Sequence, residues 1–379
     1  MSPRAKPPFR ADHVGSLLRP EQLRSARAAK TRGDISAEQL RVAEDEAIRA
    51  AIKLQEDAGL RSITDGEFRR DSWHIDFLER FGNVAVIPSR IKARFQSEQG
   101  PVEYTPPTIQ VVGKLSRPRP IFVDHFKFVR DAVRDKPHLV PKITIPSPST
   151  MHFRGGRAAV DKAAYPDMAE FYADLSRVYN EEVRDFAAAG CRCLQIDEVY
   201  IAYLCDPALR EQAAGLGEDP NRLPQTYVQM INNAVKGRPA DMTVCMHLCR
   251  GNNSSGWVAS GGYEPVAEVL FNESDVDGFF LEYDSARAGG FEPLRFVPKG
   301  KVVVLGLVTT KKGRLESKDD LKRRIDEASK FCPLDQLALS PQCGFSSTIA
   351  GNKLTVEDEM AKLRLVVEVA REVWGERPD

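Results

Sequence analysis

The strongest constraint on this chain is an eightfold recurrence. Short β-prone runs return along its length, and each ends in Gly, Ser, Asp or another polar residue. They are ADHVGS (11–16), RSITDGE (61–67), KITIPSPS (142–149), LQIDEVY (194–200), TVCMHLCRG (243–251), GFFLEYD (278–284), VVVLGLVT (302–309) and LALSPQCG (337–344). Helix-like segments separate most of them. The clearest begins at Ser36, where Ser36-Ala37-Glu38-Gln39 has the capping-box pattern. Leu40, Ala43, Ala47, Ala51 and Leu54 line one face of it, and Gly59 reads as the residue that ends it. Others span 167–190, 317–331 and 355–375.

Strand and helix in alternation predict an α/β chain with parallel strands, and eight such units predict a single (β/α)8 TIM-type barrel. A doubly wound open sheet is the alternative, but no G-x-G-x-x-G follows the first run. Residues 84–136 do not fit one strand–helix unit. Their prolines and β-prone stretches, such as PPTIQVVG, predict an insertion between strands 2 and 3 on the barrel rim. No internal repeat or Gly/Ser-rich linker divides the chain, so residues 1–379 read as one catalytic domain.

With 379 residues and 42% hydrophobic content, the chain has enough apolar material for such a core. Lys+Arg and Asp+Glu are both 54, a balance that argues against a nucleic-acid partner. The start, MSPRAKPPFRADHVGS, has no apolar signal core, and no stretch approaches 18 apolar residues. Seven scattered cysteines suit reduced thiols better than a disulfide framework. These features predict a cytoplasmic protein with no membrane span. The oligomeric state is left open.

In a barrel of this kind the site forms at the C-terminal ends of the strands. His247 and Cys249 are two apart on one predicted strand, so both side chains point to the same side. Imidazole and thiolate are zinc ligands, and Glu282 and Cys343 sit at other strand ends that could complete a tetrahedron. Competing readings stand beside this one. The pair could be a nucleophilic thiol with its base, although no third orienting group is evident. Cys343 could be a packing residue, and Glu282 the partner of a buried cation.

Several blocks in order, FRADHVGSLLRP, TDGEFRRDSWHIDFL, LQIDE, MHLCRGN, FFLEYD, VVLGLVT and LSPQCGF, resemble the cobalamin-independent methionine synthase family. The similarity runs from about residue 8 to 375 and is greatest to the short, single-barrel branch. The resemblance implies Zn2+ held by His247, Cys249, Glu282 and Cys343, and methyl transfer to the thiol of homocysteine, giving methionine. Bound zinc lowers a thiol's pKa, so a thiolate exists at neutral pH. Carboxylate is the poorest match to zinc among the four donors, which makes Glu282 the expected labile ligand. The resemblance also assigns the homocysteine carboxylate to the loop Val14-Gly15-Ser16 and its ammonium to Glu67 and Asp197.

Three departures concern the methyl donor. Full-length members carry a second barrel that this chain lacks. The family's Arg-Cys pair before the PPTIQVVG segment is replaced by QGPVEYTPP, and its aromatic platform for the pterin falls on Phe153. Its catalytic histidine after strand 7 aligns with Lys311, which could serve as an acid near the leaving group. The expected donor is 5-methyltetrahydrofolate, with Arg94, Lys114 and Arg117 as candidates for a polyglutamate tail. A corrinoid-bound methyl group and a small methylated metabolite are the alternative sources. Alternative functions are a different zinc-thiolate alkyl transfer, such as epoxide opening, and a non-catalytic zinc-binding barrel.

Overall fold

The computed structural model describes residues 5–88, 93–97, 100–105 and 107–375. Its strands, in chain order, are β1 (Ser62–Ile63), β2 (Gly82–Ile87), β3 (Ala93–Phe95), β4 (Val102–Tyr104), β5 (Thr108–Ser116) and β6 (Val140–Pro141). They continue with β7 (Ile143–Pro146), β8 (Cys193–Glu198), β9 (Thr243–Leu248), β10 (Gly278–Glu282), β11 (Val302–Val308) and β12 (Leu337–Pro341). Strands β7 to β12 form one parallel sheet in sequential order. Every residue of these six strands is buried, because parallel strands are covered on both faces.

Both ends of this sheet continue through shorter segments. Strand β1 pairs in parallel with β6, just before β7. At the other end Ala11 bridges Leu339 of β12, with Asp12 N donating to Leu339 O at 3.0 Å and Leu339 N to Arg10 O at 2.8 Å. The expected first strand is thus reduced to one bridge. Asp12 turns inward, where it accepts from Phe9 N and His13 N and pairs with Lys142 at 3.1 Å. Side chains carry the remaining link between the first two segments. Ser62 Oγ donates to Asp12 at 2.9 Å, and Thr64 Oγ1 donates to Gly15 O at 2.7 Å. Val14, Cys245, Phe280, Val302, Val304 and Ala338 gather from five parallel segments into an inner apolar cluster. The result is a mixed α/β fold consistent with a TIM-type barrel.

Helices occur where the capping signals place them. Ser36 and Gln39 form a reciprocal capping box on the helix Ala37–Asp57. Its fully buried residues are Glu44, Ile48, Ala51, Ile52 and Gln55; of the stripe expected through Leu40, Ala43, Ala47, Ala51 and Leu54, Ala51 is buried and Ala47 and Leu54 pack half-buried on the core. Glu44 is drawn inward by Arg27 at 2.8 Å and Arg69 at 3.1 Å. Asp167, Ser317 and Thr355 cap the helices Met168–Ala188, Lys318–Ser329 and Val356–Trp374.

The irregular stretch before β6 contains two antiparallel pairs, β2 with β5 and β3 with β4, followed by the helix Val123–Ala132. Gln96 pairs with Trp257, which ties this stretch to the loop after β9. No described helix is long and apolar enough to cross a membrane.

Candidate metal centre and substrate cleft

His247 lies near the end of β9, directly opposite Asp197 of β8 and Phe280 of β10. Its Nδ1 is 3.2 Å from Phe280 O, which orients the ring and leaves Nε2 as the available ligand nitrogen. Among the described residues Nε2 makes no hydrogen bond of acceptable geometry. Cys249 leaves the same strand two residues later, and Cys343 follows β12. Their sulfurs are 3.4 Å apart, and one ligand atom from each of His247, Cys249 and Cys343 lies within 4.8 Å of the others. All three are buried.

These positions suit zinc. Two thiolates on a tetrahedral ion at about 2.3 Å would sit about 3.8 Å apart, so the observed pair needs only a few tenths of an ångström. The protonation pattern fits as well. The bond from Cys249 holds the Cys343 thiol well below its usual range, while that bond and burial push Cys249 well up. Burial works to lower His247, but Cys343, Asp197 and Glu282 outweigh it and raise the imidazole. Two close sulfurs, one held toward the thiolate, beside a ring nitrogen with no hydrogen-bond partner among the described residues are a donor set that a dication can bind.

Glu282, at the end of β10, is fully buried beside this trio but engaged elsewhere. Its Oε1 is 2.5 Å from Arg287 Nη2, and its Oε2 accepts from Arg250 N at 3.0 Å. Burial works to raise the carboxyl, and Lys311, Arg287 and Arg250 together hold it below its ordinary value. The compact three-residue donor group does not include it.

The trio opens into a cleft that is also lined by Val14, Ser16, Glu67 and Asp197. Glu67 has a left-handed φ of 61°, held by Asp65, which accepts from Glu67 N at 2.9 Å. Its Oε1 accepts from Thr144 Oγ1 at 2.8 Å and lies 3.6 Å from Arg70. Oε2 is buried with no hydrogen-bond partner among the described residues. Asp197 accepts from Gln195 Nε2 at 2.7 Å. Burial raises Glu67, against the pull of Arg70; burial and then Glu67 push Asp197 up to about 7. Two buried acids lining one cleft, one with an oxygen that has no hydrogen-bond partner among the described residues, are arranged to receive a cationic donor.

Gly15 makes this approach feasible. Its φ is +141°, and a Cβ there would lie 2.6 Å from Thr144 Cγ2. Ser16 Oγ accepts from Ser346 N at 3.3 Å, packed so closely on Gly344 that a side chain at 344 would collide with it.

The donor-side expectations are placed differently. Phe153 stacks on Tyr200, with centroids 4.7 Å apart, and is not among the cleft-lining residues. Lys311 is buried. Its Nζ donates to Asn252 Oδ1 and Gly256 O, both at 3.2 Å, so it braces the loop after β9. Lys114 pairs with Glu170, and Arg117 with Glu182 at 2.7 Å and Asp185 at 2.5 Å, on the helix Met168–Ala188. The side chain of Arg94 lies outside the described residues. Sequence reasoning missed Arg154, Tyr203, Trp73 and His74, which line the cleft, and Arg287, which grips Glu282. Trp73 and His74 lie within TDGEFRRDSWHIDFL, so the only available signal was their position in that block.

Residues 9–372 match the family described as the cobalamin-independent synthase catalytic domain. The chain is 45% identical to the uncharacterized protein YxjG of Bacillus subtilis, covering 98% of this chain and 96% of that protein. A protein named methionine synthase from Saccharolobus solfataricus is 28% identical, over 92% and 93% of the two chains. Among solved structures, a putative vitamin-B12-independent methionine synthase from Listeria monocytogenes superposes with a TM-score of 0.77. That chain is 37% identical, and the match covers 98% of this chain and all of the other. A B12-independent methionine synthase from Shewanella, solved with selenomethionine, shares the fold at a TM-score of 0.70 and 20% identity, over 97% and 98% of the two chains.

Proposed function

Since this chain belongs to the family of cobalamin-independent synthase catalytic domains, we propose that it is a zinc-dependent methyltransferase. It transfers a methyl group to the thiol of homocysteine, giving methionine, with 5-methyltetrahydrofolate as the first donor to test. One observation carries this reading. The His247, Cys249 and Cys343 donor atoms and the two buried acids Glu67 and Asp197 face one cleft. A thiol-bearing amino acid has a sulfur and an ammonium that need both partners.

His247, Cys249 and Cys343 would hold zinc, with Glu282 as a fourth donor when no thiol is bound. The metal supplies the charge that keeps a thiol ionised at neutral pH. The chain's own residues do the positioning. Glu67 and Asp197 accept from the ammonium, and backbone at Val14-Gly15-Ser16 meets the carboxylate. Burial of all these groups excludes water from the sulfur. The sulfur lone pair forms the new S–CH3 bond while the donor's bond to that methyl breaks. The electron pair leaves with the donor, which then takes up a proton. Lys311 would supply that proton only on release from Asn252 and Gly256.

The same reading includes closure of the sheet as a single (β/α)8 barrel, through the bridge at Ala11 and the side-chain link between Ser62 and Asp12. Seven free, buried cysteines suit a reducing cytoplasm.

X-ray absorption of the zinc-loaded protein tests the assignment. Homocysteine should raise the sulfur shell from two to three, and an unchanged shell would exclude thiol activation. A donor screen, comparing methyltetrahydrofolates with a methylated corrinoid protein, then identifies the other substrate. Zinc binding with no transfer from any donor would favour the non-catalytic alternative.

A further inference from the structure

We infer that Arg287 is a positioning residue that holds Glu282 off the metal, so that the substrate thiol can take the fourth coordination position. The inference rests on the zinc assignment above and concerns what decides between two states of the site. The His247, Cys249 and Cys343 donors are already close enough to share one ion, whereas Glu282 has both oxygens committed. A four-ligand protein site is closed, and a thiol can enter only if one ligand gives way.

A carboxylate leaving a metal in a buried pocket needs a replacement cation, because an unpaired buried charge is costly. Arg287 is built for that role. Its Nη2 is 2.5 Å from Glu282 and 2.7 Å from Asp284, and its guanidinium lies 5.0 Å from the Trp257 ring centre. Asp284 and Trp257 therefore hold the guanidinium whichever way Glu282 turns. Arg250, also near Glu282, differs. Its backbone N–H makes the contact, while its guanidinium packs 4.4 Å from the Tyr263 ring centre. Arg287 also lines an open cleft on the far side of the loop after β9, with Lys311, Ser285 and Trp257.

The test compares Arg287→Gln and Arg287→Lys with the parent, all as full-length chains reconstituted with zinc alone. Without the guanidinium, Glu282 is released to the metal. Arg287→Gln should then bind zinc about tenfold or more tightly by chelator competition. Its absorption spectrum should keep an oxygen donor when homocysteine is added, and its KM for the thiol should rise more than its kcat falls. Arg287→Lys keeps the charge but loses the planar guanidinium that packs near Trp257, and should fall between the two. Unchanged or weaker zinc affinity in Arg287→Gln, with the parent's response to homocysteine, overturns the inference. If Arg287→Gln does not fold, parent-like behaviour of Arg287→Lys in both measurements overturns it equally. Failure of the parent itself to bind zinc or gain a third sulfur would refute the functional proposal instead.

Discussion

Replacing Asp197 with Asn separates binding from stability. The substitution keeps an oxygen able to accept the 2.7 Å bond from Gln195, so the local packing should persist. It removes one negative charge from a buried pair in which Glu67 already raises the Asp197 carboxyl. The bound ammonium would lose one charge-assisted hydrogen bond, worth about 1.5–3 kcal/mol, or about a 10- to 150-fold loss of affinity. The folded protein should respond in the opposite direction. Burial, the largest influence on this carboxyl, disfavours its charged form, so the neutral variant should melt at the same temperature or higher at pH 8. Calorimetry with homocysteine on zinc-loaded protein measures the first effect, and thermal unfolding measures the second. Zinc content should stay stoichiometric. Parental affinity for homocysteine would remove Asp197 from the ammonium pocket. A weaker affinity accompanied by lower stability and zinc loss would refute the argument, since Asp197 would then be supporting the fold.

Cys343→Ser should abolish stoichiometric zinc, measured by mass spectrometry, because one of only two thiolates in the donor group is lost. Lys311→Ala should slow transfer and loosen the loop after β9, seen as faster amide exchange near Asn252 and Gly256, which its Nζ now braces. Parental exchange and rate would refute that role. Glu359 gives a pH signature in stability. Burial pushes its carboxyl up to about 8 in the folded chain, opposed by its bond from Leu18 N. Because the folded value exceeds the unfolded one, this contribution to stability is fully present below about pH 4.5. It is lost as pH rises toward about 8, at up to about 1.4 kcal/mol per pH unit. Glu359→Gln should flatten melting temperature against pH over that window, and an unaltered slope would refute the assignment.

What was legible in the sequence was local. Capping at Ser36, Asp167, Ser317 and Thr355 needs only neighbours within three residues, so those helices begin where the pattern says. Strands β7 to β12 were readable because runs buried on both faces are mostly apolar and end in polar residues. Less was legible where a distant partner overrode the local pattern. Glu44 is buried on its helix against Arg27 and Arg69, and Asp12, in the expected first strand, faces inward to Lys142.

The candidate site divides in the same way. The sequence by itself offered the candidate donors, since His247 and Cys249 share a strand face at spacing two, and the family resemblance pointed to the acids Glu67 and Asp197. Only the tertiary structure decided that Cys343, 94 residues from Cys249, approaches to 3.4 Å. It alone turned Glu282 toward Arg287, placed Phe153 against Tyr200 and buried Lys311 beneath a loop. Residue type and spacing specify what a side chain can do. Which charge lies beside it in a desolvated pocket is a property of the packed chain, and there the nearest counter-charge determines where a carboxylate points.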